Sequence, residues 1–244
     1  MGFINPMKIK TSGEISSRIY KILLKSNRFI YMISMKKLSF LSSLSLSLFL
    51  VGCQSVLDAP TQLEHPTIQI PHNDPQWQAH LAQLEKISGY QAKGQFGYIS
   101  PEERFSSHFD WQYKNASNFG LELSSNLSSK SLKLHRNARG LTVSDSEGNS
   151  RSDRDIDALM QEIIGVSFPI DQFAYWLKGL PEKEGNYVVN EKRQLAQFSY
   201  PLNGVVWKVT YVSYDETRQP NLPKLIVLEN GSQTLKIRVD NWTH

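Results

Sequence analysis

Between Tyr90 and Tyr113 apolar and polar side chains alternate with a period of two. Tyr90, Ala92, Gly94, Phe96 and Tyr98 are interleaved with Gln91, Lys93, Gln95 and Gly97. After a turn at Ser100-Pro101-Glu102-Glu103, Phe105, Ser107, Phe109, Trp111 and Tyr113 are interleaved with Arg104, Ser106, His108, Asp110 and Gln112. One aromatic face and one solvated face predict paired antiparallel strands covered on one side only. Shorter runs predict strands at Phe119 to Leu123, Ser131 to Arg136 and Leu141 to Asp145, followed by a Glu147-Gly148-Asn149 turn. The pattern returns at Tyr187 to Asn190, Gln194 to Tyr200, Val206 to Tyr214, Pro223 to Glu229 and Thr234 to Trp242. Both Asn203-Gly204 and Asn230-Gly231 suit type I′ hairpin turns, which need positive φ at both central residues. The total is about ten or eleven antiparallel strands, a mainly β fold whose even spacing favours a meander or barrel.

Three stretches carry helical period instead. Pro75 opens the first, with Asp74 as N-cap, and Trp77, Leu81, Leu84 and Ile87 form its apolar stripe before Gly89. Ser152-x-x-Asp155 resembles a capping box and predicts a second helix with Ile156, Leu159, Met160, Ile163 and Ile164 on one stripe, closed by Gly165. A short third helix starts near Pro169, presents Phe173, Trp176 and Leu177, and ends at Gly179 and Pro181. Lying between strand groups, the last two are expected to cross the sheet as a lid over its apolar face.

Ahead of this domain, Lys36 and Lys37 precede an apolar run of about 14 residues that ends in Leu50-Val51-Gly52-Cys53. Two lysines, a run too short to span a bilayer and a small residue before the cut have the anatomy of a secretory signal. In place of an A-x-A-like site stands a cysteine, so the ending resembles the bacterial lipobox, with cleavage between Gly52 and Cys53 and acylation of the Cys53 thiol. The rival reading is a free buried cysteine after a chance apolar run. Residues 1–34 are expected to be a start-site miscall ahead of Met35, or else an extension with an amphipathic helix around Ile19 to Ile33. Residues 35–52 are then the signal peptide and 53–74 the lipidated cysteine with a tether carrying Pro60, Pro66 and Pro71. Residues 75–244 form the domain. A Pro-rich tether of about 21 residues could reach roughly 65 Å.

Processing changes the charge. The chain has 27 Lys and Arg against 23 Asp and Glu, and eight of those basic residues but only Glu14 of the acids lie in residues 1–52. The formal net charge thus moves from +4 to about −3. No basic stripe survives, and no nucleic-acid partner is expected. With one cysteine, no internal disulfide can form. There is no G-x-S-x-G, H-E-x-x-H, P-loop or histidine pair at metal spacing, so no catalytic group, metal or cofactor is expected. His65 and His72 fall in the tether, His80 on a helix, His108 and His135 on outward strand positions, and His244 at the terminus. The serines between Ser124 and Ser131 are explained by loop solvation, and the four Asn-x-Ser/Thr sites are discounted in a chain with a bacterial lipobox. Leu127 differs, because it sits in the polar hairpin Ser124-Ser125-Asn126-Leu127-Ser128-Ser129-Lys130. It is either a single exposed leucine or a membrane-touching tip, for which one inserted leucine contributes about 1–3 kcal/mol.

The lipobox, the aromatic pair from Tyr90 to Tyr113 containing Phe96-Gly97-Tyr98-Ile99-Ser100, Trp176-Leu177-Lys178-Gly179-Leu180-Pro181, Trp207-Lys208-Val209, Tyr214-Asp215 and Asp240-Asn241-Trp242 together resemble the LolB family. The resemblance runs from about Asp74 to Trp242. It implies an incomplete antiparallel β-barrel of about 11 strands, with a helical lid over an apolar cavity. It further implies an outer-membrane lipoprotein receptor, monomeric and not an enzyme, that accepts acylated lipoproteins from the periplasmic carrier LolA and inserts them into the outer membrane. The family's protruding loop carries an exposed leucine that acts in release, and Leu127 occupies that position. Here the loop reads Asn126-Leu127-Ser128 where the family often has Asn-Pro-Leu-Gly. Gln54 is not the aspartate associated with inner-membrane retention, which fits an outer-membrane address. On this resemblance Phe96, Phe109, Trp111, Trp176 and Trp207 are candidate cavity residues, with ordinary barrel core as their other reading. A structural envelope-assembly lipoprotein would share anchor and sheet but have a filled core, and a lipid-modifying hydrolase would need a nucleophile and base in the pocket.

Overall fold

A computed structural model describes residues 55–125, 128–156, 158–159, 169–182 and 185–244. The signal segment, Gly52 and Cys53, Leu127, and Met160, Ile163, Ile164 and Gly165 of the second expected helix lie outside the described residues. The described chain forms one antiparallel sheet of twelve strands in the order β1-β8-β9-β10-β11-β12-β2-β3-β4-β5-β6-β7. The strands are β1 Thr67–Ile68, β2 Tyr90–Ile99, β3 Arg104–Asn115, β4 Asn118–Ser124, β5 Ser131–Asn137, β6 Gly140–Asp145, β7 Ser150–Asp153, β8 Tyr187–Asn190, β9 Leu195–Leu202, β10 Val205–Asp215, β11 Leu222–Glu229 and β12 Thr234–Thr243. Edges remain at β1 and β7, so the sheet curls without closing. The alternation predicted for β2 and β3 sets the register: Ala92 opposes Trp111, Gly94 opposes Phe109 and Phe96 opposes Ser107. The same parity continues through Leu121 and Leu134 on one side and Ile237, Ile226 and Tyr211 on the other, making one continuous concave apolar face.

Two helices with defined bounds lie on that face. In α1, Pro75–Glu85, Asp74 caps the start by accepting from the Gln76 and Trp77 amides, and Trp77 and Leu84 are buried. In α2, Ile170–Leu177, Phe173, Ala174, Trp176 and Leu177 are buried. Gly179, at φ +83°, ends α2: its amide bonds the Trp176 carbonyl and the Leu180 amide bonds that of Tyr175. This pair of bonds is the Schellman arrangement that a left-handed residue permits.

Three local expectations are corrected. Ser152 belongs to β7, where its hydroxyl bonds Thr142. Asp155 is the cap of the next helical turn, accepting from the Ala158 amide, and Ile156 and Leu159 follow it. A serine with an acid three residues on suits a strand end as well as a cap, and pairing with β6 decides between them. Asn203-Gly204 has both φ angles positive, at 49° and 80°, as a two-residue hairpin needs. In the four-residue connection 230–233 only Gly231 is left-handed, because Asn230 accepts the Gln233 amide on its side chain. Finally, residues 55–68 are no free tether. A 3-10 turn, Val56–Asp58, packs on the convex face, where the buried Lys236 ammonium donates to the Leu57 and Ala59 carbonyls at 2.9 and 2.6 Å. The segment then crosses the sheet. Ala59 packs on Val212, Leu225 and Val227, the Glu64 amide bonds the Val212 carbonyl, His65 lies between Glu191 and Glu216, and β1 pairs with β8.

Gly94 marks where this sheet has no slack. A Cβ there would lie 1.9 Å from the Arg238 carbonyl oxygen, beside the bulge between Val239 and Asn241. Gly94→Ala is expected to lower the free energy of unfolding by about 1–3 kcal/mol or more, read from urea midpoints. Gly120→Ala, which meets its nearest neighbour at 3.6 Å, should change stability far less.

Candidate functional site

The concave face has two halves. Under α2 it is filled by rings: Trp111 stacks on Phe119 at 5.0 Å and meets Phe173 edge-on at 5.2 Å, and Trp176 meets Phe198 and Tyr200 edge-on at 5.1 Å each. The rings reach α2 through their polar ends. Tyr90 donates its hydroxyl to the Ala174 carbonyl at 2.6 Å and accepts the Trp111 indole N–H at 3.1 Å. Tyr211 donates to the Trp176 carbonyl at 2.7 Å. The last carbonyls of a helix have no partner within it, so these tyrosines satisfy them and fasten α2 to the sheet. Burial pushes the Tyr90, Tyr211 and Tyr214 hydroxyls far above the ordinary phenol range, so they stay protonated donors.

Lys178, next after α2, is buried as well. Its ammonium donates to the Ile87 carbonyl at 2.7 Å and lies 5.8 and 5.9 Å from the Tyr90 and Tyr175 ring centres. Burial pulls its pKa down while Glu85 pulls it back up. Between α1 and α2 opens a cavity of about 1050 Å³, walled by Leu81, Glu85, Tyr175, Trp176, Lys178 and Tyr187 among others. Its volume is at the upper end of ligand-sized pockets, roughly 300–1,000 Å³.

The other half of the face, toward the β2–β3 turn, is apolar but incompletely covered. Phe96, Tyr98 and Val205 are only partly buried there, as is Tyr200 beside Trp176, and the Phe105 ring lies tilted against those of Phe96 and Tyr98 at 6.4 and 5.2 Å. In their midst the Ser107 hydroxyl is fully buried with no partner among the described residues. Such a surface can hold a hydrocarbon by area alone, since no directional group is required.

All five aromatic residues singled out from the sequence share the concave face, but they divide within it. Trp176 walls the inter-helix cavity, Phe96 stands on the half-covered part, and Phe109, Trp111 and Trp207 are 5%, 0% and 0% exposed in packed core. Alternation identifies the face; it does not say which half the helices fill. The sequence pattern gives no role to Lys178 or Ser107, and it leaves His72 in the tether and His80 on a helix without partners. His72 stacks on Tyr187 at 4.9 Å, and burial lowers the pKa of His80 beside Trp77. A lysine directly after a helix of buried aromatics was the available signal for Lys178. Among the described residues no cluster of three potential metal ligands occurs.

Comparison with known proteins gives consistent findings. A family model described as outer membrane lipoprotein LolB matches residues 88–242. The outer-membrane lipoprotein LolB of Actinobacillus pleuropneumoniae serotype 5b (strain L20) is 76% identical over 208 residues, which cover 85% of this chain and 99% of that protein. That of Glaesserella parasuis serovar 5 (strain SH0165) is 71% identical over 210 residues, covering 86% of this chain and 100% of its own. Among solved structures, a LolA superfamily protein from Nitrosomonas europaea aligns with a TM-score of 0.45 at 12% identity, over 68% of this chain and 92% of that one. A likeness that distant carries no argument.

Tyr90 tests how α2 is held. Tyr90→Phe keeps the ring but orphans the Ala174 carbonyl and the Trp111 N–H, and each buried orphan costs about 1–3 kcal/mol. The expected result is a lower urea midpoint, together with faster amide exchange in α2 than in β10 or β11.

Proposed function

From its membership of the LolB family of outer-membrane lipoproteins, to which this chain belongs, we propose that it accepts acylated lipoproteins from the periplasmic carrier LolA and inserts them into the outer membrane. The observation that carries this reading is the incompletely covered end of the concave face: Phe96 and Tyr98 on β2 and Tyr200 and Val205 beside the β9–β10 turn are apolar and only partly buried. Each methylene removed from water contributes about 0.8 kcal/mol. Several acyl chains therefore cannot cross an aqueous compartment unaided, and an apolar surface that takes them up without a bilayer solves that problem. Binding alone suffices, and no covalent step is needed. Cys53 is the acylated residue of this protein itself, and Leu127 is the residue that touches the membrane during release.

The ring-filled half and the half-covered half have different parts to play. Trp111 and Trp207 are packed core, and the acyl chains lie along Phe96 and its neighbours. Movement from carrier to receptor follows from tighter binding here. Movement on to the membrane follows because a bilayer buries the whole chain, whereas a half-covered face buries part of it.

Two experiments separate the steps. The chain from Ser55 to His244, with neither signal nor anchor, is mixed with LolA carrying a radiolabelled acylated lipoprotein, and label is followed by pull-down. Label is expected to move to the receptor, and Phe96→Asp is expected to abolish capture while the protein stays folded by circular dichroism. If a folded protein captures no label, the acceptor reading gives way to that of a structural envelope lipoprotein. In the anchored protein, Leu127→Glu is expected to leave capture intact and to lower the rate at which label enters liposomes by tenfold or more, about 1.4 kcal/mol or above.

A further inference from the structure

The segment that follows the lipidated residue is fastened to one end of the sheet, and that fixes which end meets the bilayer. Only Gln54 separates Cys53 from Ser55, where the described chain begins, so acylated Cys53 lies within about 7 Å of Ser55. The 3-10 turn that Ser55 caps sits on Gly97, whose added Cβ would meet Leu57 and Val56 at 3.0 and 3.1 Å. Lys236, opposite Gly97, holds the Leu57 and Ala59 carbonyls, and Asp58 pairs with Arg104 at the start of β3. From Gly97 the near end of β2 at Ile99 is about 7 Å away and the far end at Tyr90 about 23 Å. The anchor reaches the first and not the second.

At that near end stand the β2–β3 turn, the 230–233 connection and the β9–β10 hairpin. Register carries the level of Ile99 through Thr234 and Glu229 to Lys208, so Val205 and Val206 project past it by two to three residues. Val206 is 56% exposed, and among the described residues Tyr175 is the only other large apolar side chain in the exposed class. Leu202 and Val205, which pair at the hairpin tip, are partly exposed. Along the sheet Val206 is three strand spacings from β2, roughly 14 Å, close enough to share a bilayer surface with the anchor.

We propose that the segment 55–59, pinned by Lys236, orients the anchored receptor with this end on the bilayer, and that the β9–β10 hairpin, through Val206, is a lipid-contacting surface separate from the Leu127 loop. The inference rests on acylation of Cys53. Because Cys53 is the only cysteine and its thiol is consumed by the anchor, Val206→Cys supplies a unique site for a nitroxide label. Ser117→Cys, in the turn between β3 and β4 at the opposite end, is the reference. The full-length lipidated protein is reconstituted into phosphatidylethanolamine and phosphatidylglycerol vesicles, and nitroxide exposure to oxygen and to a water-soluble nickel complex is measured. The label at 206 is expected to show several-fold lower nickel exposure than that at 117, and Lys236→Met should erase the difference while the protein still floats with vesicles. Equal nickel exposure at 206 and 117 in protein that floats overturns the orientation and leaves the anchor standing. Protein that does not float overturns the acylation reading and the inference with it.

Discussion

A wide antiparallel sheet with one apolar face cannot be left bare in water, and everything else in this molecule answers that constraint. Among the described residues, α1, α2 and the helical turn carrying Ile156 and Leu159 cover part of the face. Where α2 lies the cover is close: large rings interlock, and tyrosine hydroxyls bond the helix's terminal carbonyls and the Trp111 indole, while the Trp176 indole N–H is buried without a partner among the described residues. Toward the β2–β3 turn it is partial. Phe96, Tyr98 and Tyr200 keep one side incompletely covered. The buried Ser107 hydroxyl in that half, like the Trp176 indole N–H under α2, lacks a partner among the described residues.

The two halves depend on each other. An apolar surface that must take up and give back a flexible hydrocarbon cannot be self-sealing, since side chains that collapse onto it would compete with the ligand. A rigid neighbour prevents that collapse. Trp111, Phe119, Trp176 and Trp207 are among the largest fully buried side chains, and Trp176 packs edge-on against Tyr200 while Trp207 opposes it across the hairpin.

Much of this was legible in the chain. Period-two alternation gave the strands and the shared face, because side chains on a pleated strand can only point two ways. Asn203-Gly204 was legible for the same local reason. What escaped notice depends on partners far away in sequence. The segment 55–68 has proline and no periodicity, so it reads as a linker. Lys236 fastens it across a separation of 177 to 179 residues, which no local pattern carries. Ser152 had a cap signature and a strand's place, and the β6 edge claimed it. The cavity residues escaped more subtly, since alternation assigns Phe109 and Phe96 to one face with equal force, and only tertiary packing buries the first and leaves the second partly open.

The fastened segment also changes how the receptor meets its membrane. A free tether of about 21 residues would let the domain sample a volume tens of ångströms deep, and the effective concentration of any domain surface at the bilayer would fall accordingly. Pinning the chain within two residues of the lipid removes that freedom. On the proposed orientation even a small apolar tip such as Val206 meets the bilayer repeatedly, at little further entropic cost. A lone exposed side chain contributes too little to bind a membrane from solution; held against one by an anchor, it needs only to bias orientation. On the proposed orientation the concave face is turned in a fixed direction with respect to the lipid surface, with its half-covered end nearest the bilayer, so an acyl chain bound as proposed and leaving along Phe96 and Tyr98 has a short path to travel.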